Sequence, residues 1–180
     1  MKYVTLLPLI AFLVATSVAC GSVPNRDPTG ELFPTVNGQS LDRQPRVLPR
    51  DVAGESTFLL IGYERRTQFD IDRWAIGLVQ MYTPVTAYEI PTVRGLVPSL
   101  ISERIDNGMR SGIPSEDWGA VVTVYREADA IVSWTGNENG LNARVVLLDG
   151  EGRVIWFHDR GFSPGVLKEL HTLVQSQRGG

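Results

Sequence analysis

Thr57-Phe58-Leu59-Leu60-Ile61-Gly62-Tyr63 is a continuous apolar run of strand length. A strand with one wet face alternates apolar and polar side chains. An unbroken run therefore marks a strand buried on both faces, at the centre of a sheet flanked by helices. The period then changes: Trp74, Leu78 and Met81 fall on one side of a helix from about Thr67 to Met81, where Thr67 and Asp70 form a capping arrangement. Val85–Ile90 is the next strand, closed by Pro91. Pro98 suits the first turn of a helix carrying Leu100, Ile101, Ile105 and Met109. Gly112-Ile113-Pro114 reads as a loop, Ala120–Tyr125 as a strong strand, and Ala128, Ile131 and Trp134 as a short helix ending near Gly136.

Farther out, Asp149-Gly150-Glu151-Gly152 separates Arg144–Leu148 from Arg153–His158, the clearest hairpin signal in the chain. Ser163-Pro164 offers an N-cap with proline behind it, and the helix it opens sets Val166, Leu167, Leu170, Leu173 and Val174 on one stripe. Upstream, Phe33–Val36 and Arg46–Leu48 suggest a small hairpin.

Several local features stand in a familiar order: Phe33-Pro34, Gly38, Leu48-Pro49, Gly54, Leu59-Leu60-Ile61 and Leu147-Leu148-Asp149-Gly150-Glu151-Gly152. Together with the element order they resemble a thioredoxin-like domain, and its peroxiredoxin branch in particular, over residues 32–177. The resemblance implies an α/β fold, a central mixed sheet flanked by helices with an N-terminal β-hairpin. It also locates the place where the family does its chemistry. Peroxiredoxins carry Pro-x-x-x-Thr-x-x-Cys after the first central strand; this chain has Tyr63-Glu64-Arg65-Arg66-Thr67-Gln68-Phe69-Asp70. Thr67 matches, Tyr63 replaces the proline, and Asp70 replaces the reactive cysteine. A carboxylate neither reduces a peroxide nor forms a mixed disulfide, because both need a thiolate. Arg144 lies near the family's arginine, one residue out of place, and no Cys-x-x-Cys occurs. Thiol redox catalysis by this domain is not expected.

The only cysteine is Cys20. It follows Lys2, an apolar run from Tyr3 to Ala15 and the small residues of Ser17-Val18-Ala19, a secretory signal over residues 1–19 that ends at a lipobox-like site. The expectation is a lipid-anchored exported protein, acylated on Cys20. Gly21, where aspartate is absent, implies an outer-membrane destination if the cell has one. A soluble exported protein and an uncleaved anchor are the alternatives, the latter disfavoured by a short apolar run holding Pro8. Residues 20–31, rich in Gly, Pro, Asn and Ser, read as a flexible tether, and residues 178–180 as a frayed tail.

The chain has 17 basic and 20 acidic residues, and losing residues 1–19 would remove Lys2 and no acid, leaving a net charge of −4. A mildly acidic domain does not offer the basic face that nucleic acid needs. There is no Gly-x-Ser-x-Gly, no Ser-x-x-Lys and no phosphate-cradling glycine motif, and His158 and His171 read as ordinary half-exposed histidines. Two separated histidines and one cysteine do not make metal-ligand spacing, so no metal or other cofactor is expected.

One cluster is a candidate ligand site. Glu64, Arg65, Arg66, Thr67 and Asp70 fall where a central strand meets its helix, with Arg144 near, and that edge of an α/β sheet favours ligands and anions. A solvated helix start with Arg–Asp pairing explains the same residues. Met109, Ile113 and Trp118 read either as a partner patch or as core. The expected function is a non-catalytic thioredoxin-like lipoprotein that binds an envelope protein or peptide. The alternatives are an enzyme or small-anion binder using Arg65, Arg66 and Asp70, and a redox accessory that borrows a partner's thiols.

Overall fold

The computed structural model describes residues 21–54, 56–95, 97 and 99–178. The signal segment, Cys20, Pro98 and the terminal Gly179-Gly180 lie outside them.

Strand β3 (Thr57–Gly62) is buried at every position, as its composition requires. Its side chains alternate between two cores. Phe58 and Leu60 face helix α1 (Gln68–Gln80) and helix α4 (Pro164–Arg178), with Trp74, Leu78, Leu167, Leu170 and Val174 closing that layer. Leu59 and Ile61 face the other way, toward Ile131 and Trp134 of helix α3 (Ala128–Thr135) and toward Val36 and Leu48 of the N-terminal hairpin. Period two along one strand thus builds both halves of the molecule.

The hairpin is β1 (Val36–Ser40) and β2 (Pro45–Leu48). β4 (Thr86–Pro91) runs parallel to β3, and β6 (Arg144–Leu148) runs antiparallel on its other side with β7 (Val154–His158) beyond. The predicted strand at 120–125 is shortened to β5 (Val122–Thr123), antiparallel to β1. Parallel bridges Glu89–Val121 and Thr92–Val124 tie it to β4. Two sheets, β2-β1-β5 and β4-β3-β6-β7, are thereby joined into one mixed surface. This is the thioredoxin-like architecture.

Two features go beyond the sequence reading. Helix α2 (Ser99–Arg110) forms where it should, but Leu100 and Ile101 are 79% and 51% exposed, and Asp106 is the residue it buries. The reason is a partner outside the helix: the Tyr125 hydroxyl donates to Asp106 at 2.7 Å, which satisfies a carboxylate that would otherwise stay in water. The second concerns the tether. From Val23 onward the chain lies on the domain as a strap. Val23 donates its N–H to the Asn137 side chain and accepts from the Asn137 N–H, Arg26 N–H reaches Thr135 O, and Gly30 N–H reaches Val154 O. Pro28, within the strap, is buried. Gly136, at φ +74°, lets the strap come close, since a Cβ there would collide with Pro24 O and the Asn25 backbone. Met109, Ile113 and Trp118 are half-buried, with Trp118 Nε1 donating to Ile113 O at 2.9 Å.

Candidate functional site

β3 ends at Gly62, and the chain turns through Tyr63 and Glu64 into a single 3-10 turn, Arg65–Thr67, before α1. Of the six candidate residues, Glu64, Arg65, Arg66, Thr67 and Asp70 come from this turn and the helix start on either side of it and Arg144 from the start of β6, and they divide into an exposed and a buried set.

Thr67 is buried and ties two loops: its hydroxyl donates to Gly140 O at 2.6 Å and accepts from Glu64 N–H at 3.2 Å. Asp70, in the first turn of α1, is also buried, and both carboxylate oxygens receive backbone donors. Ala143 N–H bonds one at 3.0 Å and Phe162 N–H the other at 2.7 Å. It therefore clamps the chain just before β6 and just after β7 onto α1.

Arg144 is fully buried, a cation held by neutral oxygens. Its Nη1 donates to Asn139 O at 3.2 Å and Asn142 O at 2.9 Å, and its Nη2 to Glu138 O at 2.6 Å and the Asn25 side chain at 2.7 Å. Its guanidinium carbon lies 5.4 Å from the centre of the Tyr63 ring. Burial pulls the guanidinium below its ordinary pKa, with Tyr63 opposing. Burial also pushes the Tyr63 phenol up to about 12, although its hydroxyl shares a hydrogen bond with Thr135. Among the described residues no carboxylate forms an ion pair with Arg144. The group orders a loop and is not open to an anion from solution.

Glu64, Arg65 and Arg66 are exposed, and among the described residues none of the three is in an ion pair. The turn is thus a solvated start to the helix, with two clamps below it. An open cleft of about 870 Å³ lies to one side, lined by Asn25, Asp27, Asn139, Asn142, His158 and Arg160 among others, and it takes in none of the six. His158 is engaged: Nε2 faces Gly161 O at 2.8 Å, and the ring lies against Trp74 and Trp156. His171 Nδ1 bonds Thr83 at 2.9 Å.

A different surface was not read from the sequence. Phe69, Ile76 and Val79 stand 70%, 56% and 74% exposed on α1, on the face opposite Ile71, Trp74 and Leu78. Their spacing of seven and three residues is the sequence signal for this face, and the inward stripe alone accounts for the core.

No protein-family model matches the chain, and no curated protein matches it in sequence. Solved structures do match. A thiol peroxidase from Chromobacterium violaceum superposes at TM-score 0.58 and 11% identity, over 87% of this chain and 93% of that one. The copper-bound ScoI of Arabidopsis thaliana gives 0.55 and 9%, over 83% and 99%. An exposed lipoprotein thioredoxin, Etrx1, from Streptococcus pneumoniae gives 0.50 and 10%, over 78% and 99%. At these identities the likeness is one of fold. The chain has the thioredoxin-like fold, in the company of redox-type proteins.

Proposed function

We propose that this is a lipid-anchored envelope protein whose thioredoxin-like domain binds a protein or peptide partner and performs no thiol chemistry. The observation that carries it is the outer face of α1. A helix that already buries Trp74 and Leu78 has no folding reason to display Phe69, Ile76 and Val79 to water, and large apolar side chains on one exposed face, here with Asp72 and Arg73 between Phe69 and Ile76, are the mark of a partner surface. The thiol part rests on residues 21–180, which contain no cysteine, and on Asp70 standing in the helix turn where the peroxiredoxin motif has one. The address rests on Ser17-Val18-Ala19-Cys20, and an outer-membrane location facing the periplasm follows from Gly21 where the cell has two membranes. The fold neighbour that is itself an exposed lipoprotein points the same way. A small-anion enzyme is the weaker reading, because Asp70 and Arg144 are spent on backbone groups.

The test is in-cell photo-crosslinking from position 76. A discrete adduct is expected there and not from position 168 on α4, and Val79→Asp should remove it with the melting temperature unchanged. Equal labelling from both positions would overturn the partner surface. Cys20→Ala should move the protein from the membrane fraction to the soluble one, and membrane retention of a Cys20→Ala chain cleaved of residues 1–19 would sink the lipid anchor.

A further inference from the structure

We propose that the sheet edge carrying Leu100, Ile101 and Leu141 is seated on the surface of the bilayer that holds Cys20, so that the domain stands on the membrane in one orientation. This rests on the lipid-anchor reading above. The carboxyl ends of β3 and β4 and the first residue of β6 share one edge, because β4 is parallel and β6 antiparallel to β3. The strap is fixed to that same edge. Val23 and Asn137 bond each other in both directions, Arg26 N–H reaches Thr135 O, and Asn25 reaches Arg144 and Asp159. Upstream, Arg94 Nη1 donates to Gly21 O at 3.3 Å.

Consecutive Cα atoms are about 3.8 Å apart. An acylated Cys20 is therefore attached one residue from backbone that the domain itself grips. A flexible tether of a dozen residues would let a domain tumble at the surface, whereas this connection has almost no slack. What the edge shows to the bilayer fits that neighbour. Leu100 and Ile101, in the first turn of α2, and Leu141, before β6, are exposed, and so are Arg65, Arg66 and Arg126. Exposed large apolar side chains among arginines suit the boundary between headgroups and acyl chains, with anionic lipid as the electrostatic counterpart. Of the acids nearby, Asp129 is held by Arg94, Glu138 receives the Asn25 N–H and Glu127 receives Asn37, while Glu64 and Glu103 stay exposed. The β6–β7 turn at Gly150 lies at the opposite edge.

Because Cys20 is the only cysteine and would be acylated, one added cysteine can carry a unique fluorophore. Ile101→Cys and Glu151→Cys, each in the full chain purified in its processed form, are placed in phosphatidylcholine–phosphatidylglycerol vesicles containing nitroxide lipids. Quenching is expected to be at least threefold stronger at position 101. Gly136→Val, which drives a side chain into the strap, should bring the two positions to parity with the acyl chains still attached. Val23→Pro, which deletes the N–H given to Asn137, does the same where the first variant folds poorly. Equal quenching at 101 and 151 in the unmodified strap overturns the proposal, and an acylated N-terminal peptide by mass spectrometry then leaves the lipoprotein standing. An unacylated peptide overturns both. Shielding of position 101 that grows with protein concentration and not with nitroxide lipid assigns the edge to a second copy and also overturns it. So does a 101–151 difference that survives both strap variants.

Discussion

Asp70 and Arg144 carry the charges that a reader would first assign to a ligand, and each is used up by the backbone. A buried carboxylate is stable where it collects N–H donors, and Asp70 collects two from segments that flank the β6–β7 hairpin. Asp70→Ala should cost about 3 kcal/mol, as two bonds to a charged group are lost and their donors stay buried. Asp70→Asn, which keeps one acceptor, should cost about half of that, and urea denaturation measures both. Glu89 offers a pH test. Burial, with Asp72 adding repulsion, raises its carboxyl above the ordinary value, so the folded chain binds that proton more tightly than the unfolded one. Stability from this group is therefore greatest below the unfolded value of about 4.3 and is lost as the pH rises through the raised folded value. Glu89→Gln should raise the melting temperature at pH 7 by about 2–4 °C, an advantage that disappears at pH 4 in thermal melts.

At the scale of the elements, what could be read from the sequence was whatever a local pattern decides. The run 57–62 reads as a central strand and is one, because burial on both faces leaves a mark in every residue. The last helix likewise buries Leu167, Leu170 and Val174 from its predicted stripe. Helix α2 forms where its pattern places it, but the face it buries depends on Tyr125, nineteen positions beyond Asp106, and no periodicity within the helix records that hydroxyl. Tyr125→Phe should cost about 2 kcal/mol by denaturant unfolding, since it leaves the Asp106 carboxylate buried without its donor. The candidate cluster is partly legible for the same reason. Position along the chain placed Asp70 and Arg144 at the correct edge, and only their distant partners show them to be clamps.

For the whole molecule the deciding segment is the one whose composition said least. Gly, Pro and Asn between positions 21 and 30 are the residues of a linker, and they are also the residues of an irregular strap that bonds through its backbone. Hydrogen exchange tells the two apart. The amides of Val23, Arg26 and Gly30 should exchange at least tenfold more slowly than those of exposed Ser22 and Asp27, and Gly136→Val should erase the protection at Val23 and Arg26. The strap also sets an order of events during biosynthesis. Val23 leaves the ribosome 114 residues ahead of Asn137, and Asn25 leaves 134 ahead of Asp159. The amides of the strap must wait for partners that follow them by more than a hundred residues. A nascent polypeptide halted anywhere short of Thr135 lacks the backbone groups that Val23 and Arg26 bond, so the strap can close only after the helix before Gly136 has emerged.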